Sequence, residues 1–459
     1  MKQLVLKILA ITVILMALIL SMTITVVDTR PYRETDFYQE MSGRLDSLNE
    51  YFQLVELSDQ LNIGWSKVNI TPNQKTPLAG FGARDPMEMD GILDSSFVRT
   101  IVFTKGDEKI ALISADLLII HPVLRNRIFN ALPSGWKPGE IYFTATHTHS
   151  GQGAWAPGMV GRLFAGEYDP DAVERIAKSV IESITNATQN IAPGMIAVGE
   201  LSVDHLVRNR LVKDEGIEDP WLKTMILYRG DEQAVFTSFS AHATCYGPDN
   251  HQLTGDYPTS FNQLMESDQN ISLSLFAAGA VGSMAVDVQN QEPAEMAHTM
   301  ATQMKEQLEL LNMIGLSVQP NPTFKSFRLK LPLRDPYFKL TNNLAIRPYL
   351  FEKAFGDFRN DLSVMILGKA IFIGLPCDFS GELAVPLYEK ARSLGYQLFI
   401  TSFNGGYTGY VVKDEWYNLK KYEARSMSWY GPDMGSYLSE IVEQIIETID
   451  ETNQAHTSD

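Results

Sequence analysis

The chain has few of the residues that build disulfide-rich or nucleic-acid-binding proteins. Among 459 residues there are only two cysteines, Cys245 and Cys377, which are too few for a disulfide scaffold, and the sequence leaves open whether they pair. No run rich in lysine and arginine occurs and the formal net charge is −17. We therefore expect no nucleic-acid partner, because phosphate binding needs basic patches. No obligate protein partner is predicted either.

The N-terminus contains a long apolar run, MKQLVLKILAITVILMALILSMTITVV, in which about 20 uncharged residues follow Lys2 and Lys7. That length can span a bilayer. No small-x-small cleavage signal ends the run, so we interpret residues 1–27 as a signal anchor, with a cleaved signal peptide as the alternative. Either interpretation predicts a globular part outside the cytoplasm, tethered at the membrane in the periplasm or at the cell surface, or secreted after cleavage.

The rest of the chain is expected to form one large domain. Residues 28–60 are polar with some helical periodicity and are interpreted as a stalk. From about Ile63 to Glu451 there is no Ser/Gly linker, repeat or low-complexity segment, which predicts a single domain over residues 61–452. Residues 453–459 are expected to be a disordered tail.

Strand-like apolar runs alternate with amphipathic helical patterns along this domain. KIALISADLLII and EIYFTATHTH are typical of buried strands, and LSVMILGKAIFIGLP predicts a hairpin about a Gly-Lys turn. Helices are expected over DPDAVERIAKSVIESITNATQN, AEMAHTMATQMKEQLELLNMI, ELAVPLYEKARSLG and SYLSEIVEQIIETID. The predicted class is α/β, with a layered mixed β-sheet core covered by helices.

Several predicted strands end in a polar residue among small ones. THTHSG brings His147 and His149 together at the end of one strand, although the chain has only eight histidines. SFSAHATCYG contains His242, IGLPCDFSGE contains Asp378, and the loop SFNGGYTGY contains Tyr410. Because ligand sites of α/β sheets gather beyond strand ends, these side chains are candidates for a zinc site. Structural histidines bonded to backbone carbonyls are the alternative.

Six motifs in order give the chain a resemblance to the neutral/alkaline non-lysosomal ceramidase family. They are GWSKVNITP, GILDSSFVRTIVF, THTHSG, DYP, LPCDFSGEL and NGGYTGYVVKDEWYNLKKYEARSMSWYGP. The resemblance covers about residues 63–450 and implies an α/β zinc amidohydrolase that cleaves the N-acyl amide of ceramide. Its implied partners are a ceramide-like lipid amide and, through the N-terminal helix, a membrane.

The resemblance also implies roles for individual residues. By matching motifs, the Zn²⁺ ligands are His147, His242, Asp378 and Tyr410, and His149 contacts the substrate. Because alternate residues of a regular strand point to opposite faces, both histidines can reach one pocket only where the chain leaves strand geometry. Arg210 and Tyr422 resemble the pair that holds the amide oxygen. Glu382 is an alternative metal ligand to Asp378, and a second arginine, Arg208, lies two residues before Arg210.

The chain departs from the family pattern Asn-x-Gly-Asp-x-Ser-Pro. Its segment reads AVGSMAV, so Ala285 replaces the serine needed for activity in the family and Ser283 replaces the aspartate. Hydrolysis by hydroxide from zinc-bound water, with His149 passing a proton to the leaving amine, needs no serine nucleophile. Two further functions therefore stay open at this point: a non-catalytic ligand-binding protein, and a zinc hydrolase of a soluble amide.

Overall fold

The structure is a computed structural model that describes residues 2–48, 60–319, 322–356 and 360–458. Helices with α geometry cover eleven segments of these ranges. They are α1 (Lys2–Thr23), α2 (Asp36–Asp46), α3 (Pro122–Phe129), α4 (Gly158–Ala165), α5 (Pro170–Gln189), α6 (Asp256–Glu266), α7 (Pro293–Ile314), α8 (Pro348–Phe355), α9 (Gly381–Ser393), α10 (Tyr422–Arg425) and α11 (Met434–Ser458).

Twenty-three strands, several of only two residues, lie in the same described ranges. They are β1 (Ile24–Val26), β2 (Asn62–Asn69), β3 (Gly91–Ile92), β4 (Phe97–Lys105), β5 (Glu108–Ala115), β6 (Ile141–Ala145), β7 (Ala192–Pro193), β8 (Met195–Ser202), β9 (Val207–Asn209), β10 (Trp221–Arg229), β11 (Glu232–Phe239), β12 (Gln252–Leu253), β13 (Ile271–Ala278), β14 (Met284–Val286), β15 (Val318–Gln319), β16 (Phe324–Lys330), β17 (Phe338–Lys339), β18 (Leu344–Ile346), β19 (Asp361–Leu367), β20 (Ala370–Leu375), β21 (Asp378–Phe379), β22 (Gln397–Ser402) and β23 (Tyr410–Val411).

One order of elements recurs three times in the three large sheets. An antiparallel hairpin is followed by a helix and then by a strand parallel to the second hairpin strand: β4-β5-α3-β6, β10-β11-α6-β13 and β19-β20-α9-β22. The sheets have the orders β6-β5-β4-β2-β7, β13-β11-β10-β8-β15 and β16-β19-β20-β22. The mixed α/β class predicted from the sequence is confirmed, including the hairpin at Gly368.

A shared apolar core lies between the three sheets. Phe103, Phe236 and Phe372, one from each sheet, belong to the same buried cluster. The other face of each sheet packs against helices, so that α5 covers the first sheet, α6 and α7 the second, and α9 and α11 the third. Burial on both faces explains why these strands are nearly continuous apolar runs rather than alternating ones.

The segment after the N-terminal helix differs from the predicted stalk. The structure describes residues 28–48 and 60 of this segment, and it places α2 against the domain, where Met41 and Leu48 are buried in the same cluster as Tyr437. Tyr38 donates a hydrogen bond to Glu440, 402 positions away. Such long-range partners are invisible to helical periodicity, and this is why a polar segment with buried apolar residues resembled a free stalk.

The C-terminus also differs from expectation. The helix α11 continues to Ser458, whereas a disordered tail was predicted to start at residue 453. Its last turns are held by Gln454, which donates to Asp450 one turn earlier, and by Asn453, which donates to the hydroxyl of Tyr396. These side-chain contacts extend the helix past the last apolar position of the sequence pattern.

Candidate metal centre

The two histidines of THTHSG leave strand geometry immediately after β6. His147 has a φ of 60°, a left-handed conformation that is uncommon for a residue with a side chain. This turn brings the imidazole rings of His147 and His149 to a centroid distance of 4.7 Å. The i, i+2 pair therefore shares one pocket, as the sequence pattern required.

His242, three residues beyond the end of β11, completes a group of three histidines. Its Nε2 lies 3.0 Å from Nε2 of His147, and Nε2 of His149 lies 3.2 Å from the same atom of His147. On the opposite side of each ring, Nδ1 of His147 is 2.8 Å from the carbonyl oxygen of Leu118 and Nδ1 of His242 is 2.7 Å from that of Val281. A carbonyl oxygen only accepts, so both Nδ1 atoms carry the proton and both Nε2 atoms present lone pairs to each other.

Asp378 and Tyr410 reach the same point from a small two-stranded sheet, whose strands follow β20 and β22 in the chain. β21 and β23 pair in parallel with Asp378 opposite Tyr410. Oδ1 of Asp378 lies 3.4 Å from Nε2 of His147 and 3.7 Å from Nε2 of His242, and the Tyr410 hydroxyl lies 3.3 Å from Nε2 of His242. The buried Oδ1 atom has no hydrogen-bond partner among the described residues.

These donors fit a divalent cation. Lone pairs that face each other at 3.0 Å repel unless a positive charge lies between them. A buried carboxylate oxygen without a partner is also costly, because it has lost its hydration and nothing compensates its charge. A tetrahedral zinc with ligand distances of about 2.1 Å separates its donor atoms by about 3.4 Å. The separations described here range from 3.0 to 3.7 Å. The carbonyl partners of the two Nδ1 atoms are the kind that hold metal-binding histidines in place.

Burial favours neutral side chains at this site in the absence of a cation. It lowers the pKa of His149 and His242 well below the usual imidazole value, and nearby positive charge from Arg210 lowers both further. Burial, reinforced by Asp378, raises the pKa of Tyr410 well above that of a free phenol, while Arg210 opposes this shift. Neutral imidazoles are the form that binds metal ions.

Arg210 and Tyr422, matched by resemblance to the amide-oxygen pair, both lie beside the group. Nη2 of Arg210 donates to the Tyr410 hydroxyl at 3.1 Å and to the carbonyl oxygen of Gly282 at 3.2 Å. Its Nε lies 3.2 Å from Oε1 of Glu423. The Tyr422 ring meets that of Tyr410 edge-on, with centroids 6.0 Å apart. All seven residues that were predicted for the site therefore lie together around the three histidines.

Several supporting residues were not assigned from the sequence. Tyr407 donates to Oδ2 of Asp378 at 2.9 Å, so it orients the carboxylate. Phe403, which also has a positive φ, stacks on His147 at 4.2 Å. Gly80 has a φ of 127°, and a Cβ there would come within 2.6 Å of Cα of His149. Of these, only the tyrosine-rich loop SFNGGYTGY carried a visible signal.

The residues that depart from the family pattern lie next to the centre. The backbone of Ala285 forms a bridge with that of His242. The Ser283 hydroxyl donates to Glu382 and accepts from the amide of Gly381, and Asn209 also donates to Glu382. Glu382, the alternative metal ligand, is thus engaged by neutral donors. Neither Ser283 nor Glu382 is among the described residues that line the cavity.

His121, His205 and His298 lie outside the group of three histidines. Nδ1 of His121 accepts from the amide of Val123 at the start of α3, and burial lowers its pKa to about 3. His205 and His298 are exposed. Both cysteines are free and buried. The side chain of His456 lies outside the described part.

A large cavity opens from the histidine group. Its volume is about 1020 Å³, and its wall includes His147, His149 and Arg210 at the polar part. The remainder is mostly aromatic and aliphatic, with Trp155, Phe164, Phe351, Phe355 and Trp429 among the lining residues. A cavity of this kind suits a ligand with a polar group near the histidines and a long apolar part.

Fold and site together define an α/β protein with a candidate metal centre at the floor of an apolar cavity. Comparison with known proteins agrees with this class. Residues 61–214 match the family model described as neutral/alkaline non-lysosomal ceramidase, N-terminal. The crystal structure of neutral ceramidase from Pseudomonas aeruginosa superposes with a TM-score of 0.76 at 16% identity, covering 86% of this chain and 75% of that one. A structure of a ceramidase complexed with C2 gives 0.76 at 15% identity, covering 86% and 76%.

A curated relative adds sequence evidence. The neutral ceramidase of Mycobacterium tuberculosis (strain ATCC 25618 / H37Rv) is 24% identical over 200 residues, an alignment that covers 39% of this chain and 31% of the relative. The chain therefore aligns with about a third of the length of that protein. The family-model match over residues 61–214 and this relative point to the same family as the sequence motifs, and the solved structures share the fold.

Proposed function

We propose that this protein is a zinc-dependent amidohydrolase that cleaves the N-acyl amide of a ceramide-like lipid. The observation that carries the proposal is the opposition of two Nε2 lone pairs, from His147 and His242, 3.0 Å apart beside an unpartnered carboxylate oxygen. The match of residues 61–214 to the ceramidase family model, and the similarity to a curated neutral ceramidase, support the reaction class.

The proposed metal ligands are His147, His242, Asp378 and Tyr410. Zn²⁺ accepts imidazole nitrogen and carboxylate oxygen readily, and a phenol joins such a set when a cation favours its ionised form. When bound, the ion supplies Lewis acidity and lowers the pKa of a bound water molecule to about 7. His149 is proposed to lie outside the ligand set, with its Nε2 free for the substrate.

The chain's own side chains position and polarise the amide. Arg210 carries a positive charge at the cavity wall, held by Glu423, and Tyr422 offers a hydroxyl on the same side. A hydrogen-bond donor aimed at a developing oxyanion typically lowers the activation free energy by about 3 kcal/mol. His149 lines the cavity and, as a neutral imidazole, is proposed to accept a proton from the attacking water and to pass that proton to the departing amine.

The cavity supports a lipid rather than a small soluble amide. Its aromatic and aliphatic wall can cover a long acyl chain, whereas a soluble amide gains little from such a surface. The replacement of the family serine by Ala285 favours a second candidate, a ligand-binding protein without turnover. The mechanism above requires no serine, so we place the hydrolase first.

The N-terminal helix supports a membrane location. α1 is the one candidate span among the described helices, and its residues are exposed throughout. A signal sequence passes the same criterion of length and composition. We propose that α1 anchors the domain outside the cytoplasm, with Lys2 and Lys7 on the cytoplasmic side.

The test is hydrolysis of fluorogenic N-acyl amides of different chain lengths by the purified full chain in detergent. We expect turnover that chelator abolishes and zinc restores, and that falls at least a thousandfold in His147→Ala. His298→Ala, an exposed histidine, is the matched control and keeps wild-type turnover. Full turnover by His147→Ala, or activity indifferent to chelator, would sink the proposal, and bound lipid without turnover would favour the second candidate.

A further inference from the structure

The candidate membrane helix joins the domain through direct hydrogen bonds. The last carbonyl oxygens of α1 accept hydrogen bonds from two residues at the start of α8. The amide of Arg347 donates to Thr23, its Nε to Ser21, and the hydroxyl of Tyr349 to Met22. β1 then pairs with β18 immediately after α1, with Ile24 opposite Ile346. The helix therefore reaches the domain without a free linker.

This joint fixes the domain close to whatever medium surrounds α1. Twenty-two residues of helix extend about 33 Å, which is the thickness of the hydrocarbon core of a bilayer. Because no free linker follows Thr23, a bilayer that holds α1 would have its headgroups at the level of the surface around Arg347 and Tyr349. Tyr349 is 44% exposed there, and tyrosine and arginine are residues that suit this interface.

Exposed apolar side chains continue from this joint onto a second helix. α4 packs against α8, and its Gly158 approaches Ala354 so closely that a Cβ would lie 3.0 Å from the Ala354 carbonyl oxygen. On α4, Met159 is 70% exposed and Leu163 is 56% exposed. α8 is only eight residues, about 12 Å, so these side chains lie near the end of the anchor.

The cavity extends between the same two helices. Val160, Leu163 and Phe164 of α4 line it on one side, and Phe351 and Phe355 of α8 line it on the other. Leu163 is thus both exposed and part of the cavity wall. An apolar path therefore connects the outer surface of α4 with the interior of the cavity.

We infer that the surface formed by α4 and by the segment Leu344–Tyr349 lies on the bilayer that holds α1, and that lipid enters the cavity between α4 and α8. The occupant is the lipid surface itself, because the anchor places this face against it. The route of substrate entry rests on the proposed function. The contact with the bilayer rests on the proposed anchoring by α1, on the joint and on the exposed residues, and it does not depend on hydrolysis.

The test measures depth in the membrane with the full chain in vesicles. Met159→Cys and Met313→Cys are each labelled with an environment-sensitive fluorophore, and the vesicles contain lipids with a quenching group near the headgroup. Met313, which is 82% exposed, is the matched control. It lies near the end of α7, shortly before β15, and β15 pairs with the start of β8. This end of the second sheet is opposite to the end that carries the site. The native cysteines are buried and do not compete for label.

We expect several-fold stronger quenching at position 159 than at position 313. Equal quenching at the two positions, or failure of the chain to stay with the vesicles, would overturn the inference. This result is independent of any turnover, so it is distinguishable from failure of the proposed amidase.

A second variant tests lipid entry. Met159 does not line the cavity, so Met159→Asp is expected to lower turnover of a long-chain N-acyl amide in vesicles several-fold and to leave turnover of a short, water-soluble N-acyl amide unchanged. Met313→Asp is expected to change neither. Equal turnover of the vesicle-borne substrate by Met159→Asp and by the wild type would overturn the entry route.

Discussion

At the scale of single residues, the candidate metal centre depends on groups that form hydrogen bonds with the proposed metal ligands. The carbonyl oxygens of Leu118 and Val281 fix which nitrogen of His147 and His242 carries its proton. Tyr407 orients the carboxylate of Asp378, because its hydroxyl donates to Oδ2 and leaves Oδ1 without a hydrogen-bond partner among the described residues. Such outer contacts orient ligands and set their affinity.

Removal of one of these contacts gives a direct prediction. We expect Tyr407→Phe to weaken zinc affinity about 10–100-fold, because Asp378 loses the donor that orients it. Competition with a chromophoric chelator measures this change. Tyr396→Phe, which loses a hydrogen bond to Asn453 far from the site, is the control and should leave affinity unchanged. Unaltered affinity in Tyr407→Phe would show that the carboxylate is held by other means.

A buried carboxyl group close to the second sheet predicts a pH dependence of stability. Asp219 accepts a hydrogen bond of 2.6 Å from Ser240, and burial raises its pKa to about 6 from 3.8. A raised carboxyl pKa means that the folded state holds the proton more tightly than the unfolded state does. The stabilisation is therefore complete below about pH 4 and is lost as pH rises through about 6.

The variant Asp219→Asn removes this titration. A shift from 3.8 to about 6 corresponds to about 3 kcal/mol. We expect the free energy of unfolding of the variant, relative to wild type, to rise by up to about 3 kcal/mol between about pH 4 and about pH 7. Urea unfolding measures it, with the exposed Asp231→Asn as control. A pH-independent difference would refute the assignment.

At the scale of elements, the threefold recurrence of hairpin, helix and parallel strand explains how distant residues meet. His147 follows β6, His242 follows β11 and Asp378 follows β20, each beyond the carboxyl end of a strand in a different large sheet. The sheets share one core, so these ends converge. This is the strand-end rule for α/β ligand sites applied three times.

The elements themselves could largely be predicted from local pattern. The helix after Asp169 has a side-chain cap on the amide of Asp171 and an apolar stripe of period near 3.6, and the Gly368 hairpin has its turn residues in sequence. The partners of Asp378 and Arg210 could not be predicted, because Tyr407 and Glu423 lie far from them in the sequence and no local pattern encodes such contacts. The family motifs, rather than periodicity, indicated which polar residues to compare.

The helix α2 provides an element-scale prediction. Met41 is 1% exposed in the cluster that includes Tyr437, so Met41→Ala should lower the free energy of unfolding by about 2–5 kcal/mol. Met313→Ala, at 82% exposure, should change it little. Denaturant unfolding of both variants in detergent makes the comparison. Equal free energies of unfolding for Met41→Ala and Met313→Ala would restore the interpretation of this segment as a free stalk.

At the scale of the whole molecule, three features are continuous with one another: a candidate membrane helix, a joint without a free linker, and an apolar cavity with a candidate metal centre at its polar part. The joint at Arg347 leads into α8, and α8 lines the cavity. A lipid amide could then stay partly in the bilayer while its polar group reaches the histidines. The anchor and the cavity thus serve the same proposed substrate.

The claim on which the account depends is that His147, His242, Asp378 and Tyr410 bind one divalent ion. The most direct measurement is the metal content of the purified full chain by elemental analysis, compared among wild type, His242→Ala, His149→Ala and His298→Ala. We predict about one zinc per chain in wild type and in the His149 and His298 variants, and almost none in His242→Ala. A wild-type chain that binds no metal, or a His242→Ala variant that keeps a full equivalent, would contradict the account.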